Sequence, residues 1–118
     1  MRVSLLFRRG VTAVAVKHKV VSLPRLNRLS PTLESTALKL MEEAGELAQA
    51  IGKLRGLSGE VCYEDTRAVM EKVTRELLDV AQTAVSMMFV LEEDYGINIE
   101  AALEEHIRKL RAKGYLSL

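Results

Sequence analysis

Residues 40–51, Leu40-Met41-Glu42-Glu43-Ala44-Gly45-Glu46-Leu47-Ala48-Gln49-Ala50-Ile51, decide how this chain is read. Glu43 and Glu46 are spaced i, i+3, so a helix projects both from one face. The same spacing recurs in Glu76-Leu77-Leu78-Asp79, at Glu76 and Asp79. Both pairs lie inside strongly apolar helical patterns, where acids are scarce. Four acids gathered near a core repel one another and are costly to desolvate unless a cation joins them. A hard divalent ion answers that cost, and carboxylate-held ions of this kind usually act on phosphate.

Working outward from the first pair, apolar or small residues recur at Leu33, Ala37, Leu40, Ala44, Leu47, Ile51 and Leu54. Their alternating steps of four and three make a heptad seam. This helix is expected to open at Ser30-Pro31, with serine as cap and proline in the first position. Gly52, Gly56 and Gly59 are expected to end it. Around the second pair, Met70, Val73, Leu77, Val80, Ala84, Met87 and Leu91 predict a helix from about Thr66 to about Asp94. From Val80 to Leu91 nearly every residue is apolar or small, and a helix apolar on all sides is buried on all sides. A chain of 118 residues can hardly surround such a helix, so a subunit interface is expected there.

Gly96 should end the second helix, and Asn98 should cap a third running to about Lys113 with Leu103, Ile107 and Leu110 inward. Residues 60–66 read as a separate short turn or helix. With Ala44 and Leu77 at heptad position a, Glu43 and Glu76 both fall at g, and Glu46 and Asp79 at c. Each acid pair then flanks its seam, and antiparallel packing would set one pair against the other. The expected fold class is all-α: an antiparallel bundle of three to four helices, completed by oligomerisation.

Length favours one domain. No apolar run is long enough to cross a bilayer. The single cysteine, Cys62, excludes an intrachain disulfide and fits a reducing, cytoplasmic setting. Seven of the 17 basic residues lie in residues 1–33, which hold no acid, leaving ten against all 16 acids in 34–118. A nucleic-acid binder rarely carries so acidic a body, and an acidic body that takes an anionic substrate needs metal to invert the local field. The chain therefore divides into a basic N-terminal arm or extension, 1–29, and a helical domain, 30–118. Within the arm, Val11-Thr12-Ala13-Val14-Ala15-Val16 suits either a strand or an irregular segment. The arm's composition also suits a transit peptide, or an extension packed on the body or on a neighbouring subunit.

On the third helix, His106, Lys109 and Lys113 follow i, i+3, i+7 and share one face. Such cations would complement a triphosphate held by metal on its other side. The plainer alternative is that they answer the dipole at a helix C-terminus. Likewise, the acids have Lys39, Lys72 and Arg75 at hand as ordinary surface partners.

Residues 40–51 closely resemble the first metal motif, E-E-x-x-E, of the MazG-like all-α nucleoside triphosphate pyrophosphohydrolases. Glu76-Leu77-Leu78-Asp79-Val80 resembles their second, E-x-x-D, after a spacer of residues 47–75. Lys109 and Lys113 match basic positions of the family's last helix, while His106 stands where asparagine is common. The resemblance covers about residues 28–115. It implies a Mg²⁺-dependent hydrolase, with Mn²⁺ a possible substitute, that cuts an NTP or dNTP between the α and β phosphates. By the same resemblance Glu43, Glu46, Glu76 and Asp79 bind metal. Glu42 and Glu43 are then the catalytic acids, with Glu42 positioning or deprotonating water. His106, Lys109, Lys113 and, more weakly, Lys53 contact substrate; Arg55 is a further phosphate candidate. The resemblance also implies a homodimer or homotetramer, with neither nucleic acid nor membrane as partner.

Three rivals stay open. The related phosphoribosyl-ATP pyrophosphohydrolases share the acidic motifs, but their second motif continues into Tyr-His, against Val80-Ala81-Gln82-Thr83 here. A non-enzymatic helical interaction module would carry the same acids merely solvated. A basic-armed nucleic-acid binder would rest on residues 1–28 alone.

Overall fold

The computed structural model describes the backbone of residues 2–8, 11–56, 59 and 65–117, and side chains from Val16 onward. Cys62 and most of the expected short element at 60–66 lie outside the described residues. The chain forms two units, one built on Leu23–Ile97 and one on the segments before and after it.

The larger unit holds two long helices, α1 (Leu33–Leu54) and α2 (Thr66–Tyr95). The start of α1 falls two residues later than expected. Thr32, not Ser30, is the cap, because Thr32 and Ser35 can satisfy each other reciprocally. The Ser35 N–H donates to Thr32 Oγ1 at 3.0 Å, and the Thr32 N–H donates to Ser35 Oγ at 2.8 Å. Gly52 stays inside the helix, which ends at Leu54 with Gly56 just beyond in the left-handed region at φ 68°. Asp65 caps α2 by accepting from the Ala68 N–H at 2.8 Å. At its far end Gly96 has φ 65°, and the Ile97 N–H reaches back to Leu91 O at 3.0 Å, so the stop at Gly96 is as expected.

The contact between α1 and α2 keeps part of the seam that the apolar residues outline: Leu33, Leu40, Leu47 and Leu54 of α1 and Val73, Val80 and Met87 of α2 are half-buried. Its buried residues are Thr36, Glu43 and Ala50 on α1 and Val69, Thr83, Ser86 and Val90 on α2. At these positions the most buried residue lies one before the expected one: 36, 43 and 50 in place of 37, 44 and 51, and 69, 83, 86 and 90 in place of 70, 84, 87 and 91. Glu43 and Glu76 thus stand in the contact rather than beside it, while Ala44, Ile51, Met70 and Leu77 are exposed. Threonine, serine and alanine at the most buried positions let two helices approach closely. Other large apolar residues face outward; Leu38 and Met41 are each 73% exposed. From Val80 to Leu91, α2 is mostly half-buried, with Met88 exposed, so the described residues do not cover this helix on all sides.

An irregular strap, residues 23–32 with a turn at 27–28, leads into α1 and is pinned to α2. Gln82 Nε2 donates to Pro24 O at 2.9 Å. The Arg25 guanidinium forks onto Glu93, with Nη2 to Oε1 at 2.7 Å and Nε to Oε2 at 2.8 Å.

The second unit contains a hairpin and the third helix. Strands β1 (Arg2–Arg8) and β2 (Val11–His18) pair antiparallel, with Leu5 opposite Ala15, Leu6 opposite Val14, and a register shift before Arg8 pairs with Val11. The β-branched run at Val11–Val16 therefore takes the strand alternative, and the all-α expectation holds only for the helical body. Helix α3 (Ile99–Ala112) starts at its expected cap, where the Ala101 N–H donates to Asn98 Oδ1 at 3.0 Å. None of its residues is buried. Ile107 and Leu110 are half-buried, but Leu103, expected inward, is 55% exposed. Among the described residues no helix is long and apolar enough to cross a membrane.

Candidate functional site

Glu43, on the buried stripe of α1, and Glu46, exposed one turn further on, meet Glu76 of α2. One carboxylate oxygen from each lies within 4.8 Å of the other two. Glu43 is 7% exposed, Glu76 is half-buried and Glu46 is exposed, so the set opens to solvent on one side. Asp79, expected as a fourth member, stands outside this set; it is exposed and lines the neighbouring cleft together with Glu43.

Charge in this set is only partly answered. The Lys39 ammonium lies 3.0 Å from Glu43 Oε1 and 3.8 Å from Glu42 Oε1. Those contacts raise the lysine's pKa, the hydrogen bond to Glu43 most and the Glu42 charge next. Glu43 Oε2 and Glu76 Oε2 are buried and have no hydrogen-bond partner. The charge on Glu43 pushes the Glu46 carboxyl above the ordinary carboxylate range, with burial, the Glu76 charge, a hydrogen bond to Glu76 and the Glu42 charge adding to it. Three hard oxygen donors, two of them with orphaned oxygens, fit a hard divalent cation such as Mg²⁺.

Glu42 and Lys53 lie on α1 outside the three-acid set. Glu42 is exposed beside Lys39, and Lys53 is half-buried in the last turn of α1. His106, Lys109 and Lys113 belong to the other unit: His106 and Lys109 are on α3, Lys113 caps its end, and all three are exposed.

Beside the acids is a cleft of about 830 Å³ that the sequence reading missed. Its walls are the strap from Arg25 to Thr32, the first turns of α1, and α2 from Asp79 to Asp94. Pinning of the strap by Arg25 and Gln82 holds one wall in place. A signal was available: Thr83 and Ser86 interrupt the apolar run of α2 at i, i+3 and mark the side that meets α1.

In the larger unit two helices carry E-x-x-E and E-x-x-D, and three of those four acids converge, which defines a helical, carboxylate-site class of protein. A family model described as the MazG nucleotide pyrophosphohydrolase domain matches residues 31–114, and the chain belongs to that family. The basic arm lies outside the match. No curated protein and no solved structure matches the chain.

Proposed function

We propose that this protein is a Mg²⁺-dependent nucleotide pyrophosphohydrolase that converts an NTP or dNTP to the monophosphate and pyrophosphate. The observation that carries this reading is the convergence of Glu43, Glu46 and Glu76 with two buried, unpartnered oxygens, in a chain of the MazG family. Glu43, Glu46 and Glu76 hold the ion, with Asp79 completing the set from the next turn of α2. Mn²⁺ can substitute. When bound, the ion supplies positive charge against the phosphate oxygens and makes water a better nucleophile near neutral pH.

The chain's own groups do the rest. Water adds across the bridge between the α and β phosphates, its oxygen staying on one product while the bridging oxygen leaves with the other. Glu42 orients that water and takes its proton; it stands close enough to the acids for its charge to help raise the Glu46 pKa. Lys109, Lys113, His106 and Lys53 are the groups we assign to the phosphate oxygens and sugar, on the strength of the motif alone. The two acid pairs require α1 and α2 to run antiparallel. The cleft supports this, since its lining proceeds up α1 from Thr32 to Glu43 and along α2 from Asp79 to Glu93 beside the same strap. The uncovered apolar faces of both helices support a homodimer or homotetramer, and the single cysteine supports a cytoplasmic location.

The test is a panel of ribo- and deoxyribonucleoside triphosphates incubated with pure protein and Mg²⁺. The expected products are monophosphate and pyrophosphate in equal amounts, abolished by chelation and lowered at least about 100-fold in Glu43→Gln and Glu76→Gln. Release of orthophosphate and diphosphate, or no cleavage of any nucleotide, overturns the assignment.

A further inference from the structure

We infer that the N-terminal hairpin is a binding arm for double-stranded DNA, which it holds by the phosphates and not by base sequence. This goes beyond the pyrophosphohydrolase reading and does not depend on it.

The first observation is where the charge falls. Taken whole, the acidic body of the chain counts against a nucleic-acid partner. The structure divides that charge between its units. Leu23–Ile97 carries eight basic residues against 13 acids, while the two segments of the other unit carry nine against three. The boundary between the units therefore separates a net charge of −5 from one of +6. The hairpin segment, residues 1–22, holds Arg2, Arg8, Arg9, Lys17 and Lys19 and no acid. Lys17 and Lys19 are exposed, and among the described residues neither takes part in an ion pair. Cations gathered without acids among them attract an outside polyanion and repel a second copy of the same arm.

The second observation is shape. β1 and β2 form a two-stranded antiparallel ribbon, and among the described residues neither strand contacts α3, the helix of the same unit. The major groove of B-DNA admits such a ribbon, whereas the deep, narrow groove of A-form RNA does not. The register puts basic residues at both ends. Arg2 stands opposite His18 and Val3 opposite Lys17 at the open end, and Arg8 stands opposite Val11 near the turn. At the usual strand rise Arg2 and Arg8 are about 20 Å apart, a length over which duplex DNA presents about a dozen phosphates. Between these ends the polar residues are Ser4 and Thr12 alone. Phosphate contacts thus dominate, and little is left with which to read bases.

The experiment follows the fluorescence anisotropy of a labelled duplex of about 20 base pairs as full-length, metal-free protein is added. Binding is expected to be roughly micromolar at about 50 mM salt and to weaken several hundredfold by about 200 mM, as about five phosphate contacts require. Lys17→Gln/Lys19→Gln should lower the slope of log affinity against log salt by about two. Its Mn²⁺ affinity and triphosphate cleavage should match wild type. A duplex of scrambled sequence should bind equally well, and a single strand of the same length more weakly. The inference is overturned by no binding at low salt, by a salt slope that the double substitution leaves unchanged, or by a single strand that binds as tightly as the duplex. Binding to anionic lipid vesicles without binding to the duplex overturns it too. Should Lys17→Gln/Lys19→Gln not fold, Arg8→Gln/Arg9→Gln is measured in its place, with the same fall in slope expected. Wild type that binds the duplex but cleaves no nucleotide removes the pyrophosphohydrolase reading and leaves this one standing.

Discussion

Glu43 is the residue on which the site turns. It is the most buried acid described, it shares one oxygen with Lys39, and it leaves the other without a partner. Its neighbour Glu46 carries the consequence as a raised pKa. A carboxyl that holds its proton more firmly folded than unfolded makes stability fall as pH rises through that raised value. Metal-free protein should therefore lose thermal stability on going from mildly acidic to neutral pH, and Glu46→Gln should remove part of that loss. The same substitution should weaken Mg²⁺ binding at least about tenfold, because it deletes a donor. Melting curves with and without Mg²⁺ read both effects; a Glu46→Gln protein that is less stable without metal at neutral pH would contradict the crowding of charge. The pairing of acids was legible in the sequence at this scale, but the depth of Glu43 was not. Ala44 and Ile51 made the next stripe the more apolar one, and hydrophobicity alone cannot say which of two adjacent stripes meets the partner helix.

Among elements, the caps were the most readable features, because each depends on a few neighbouring residues. Asn98 and Gly96 act as expected, while Thr32 displaces Ser30 because only Thr32 has Ser35 three residues ahead. Thr32→Ala removes the hydroxyl that accepts from Ser35 N–H and should cost about 1 kcal/mol of stability, measured by urea denaturation. Ser30→Ala at the expected cap should cost much less. An equal loss from both would mean that the reciprocal cap carries no weight. The strap was not legible, since it depends on pairings far along the chain: Arg25 with Glu93 and Pro24 with Gln82. The hairpin was half legible, as its β-branched second strand was visible and its arginine-flanked first strand was not.

At the scale of the molecule, the apolar core of the described chain is thin. Its buried hydrophobic residues are Ala50, Val69 and Val90, while Leu38, Met41, Leu77 and Met88 remain in contact with water. A chain with that balance gains most by burying the outer stripe against another copy. Sedimentation should show wild type as a dimer or tetramer at micromolar concentration, with a melting temperature that rises with protein concentration. Leu77→Glu should shift the species towards monomer and lower the melting temperature. Wild type that sediments as a monomer with concentration-independent melting would contradict the assembly. The wide apolar circumference of α2 was the part of this that the residues disclosed in advance.

The ammonium of Lys39 beside Glu43 has a consequence for how the protein matures. It is a built-in provisional counter-ion, tethered one helical turn from the acid it neutralises. A newly synthesised chain can thus bring its acids together before any metal is captured. If a divalent ion binds as proposed, its capture would be an exchange, in which the arriving cation would free a lysine that lines the cleft.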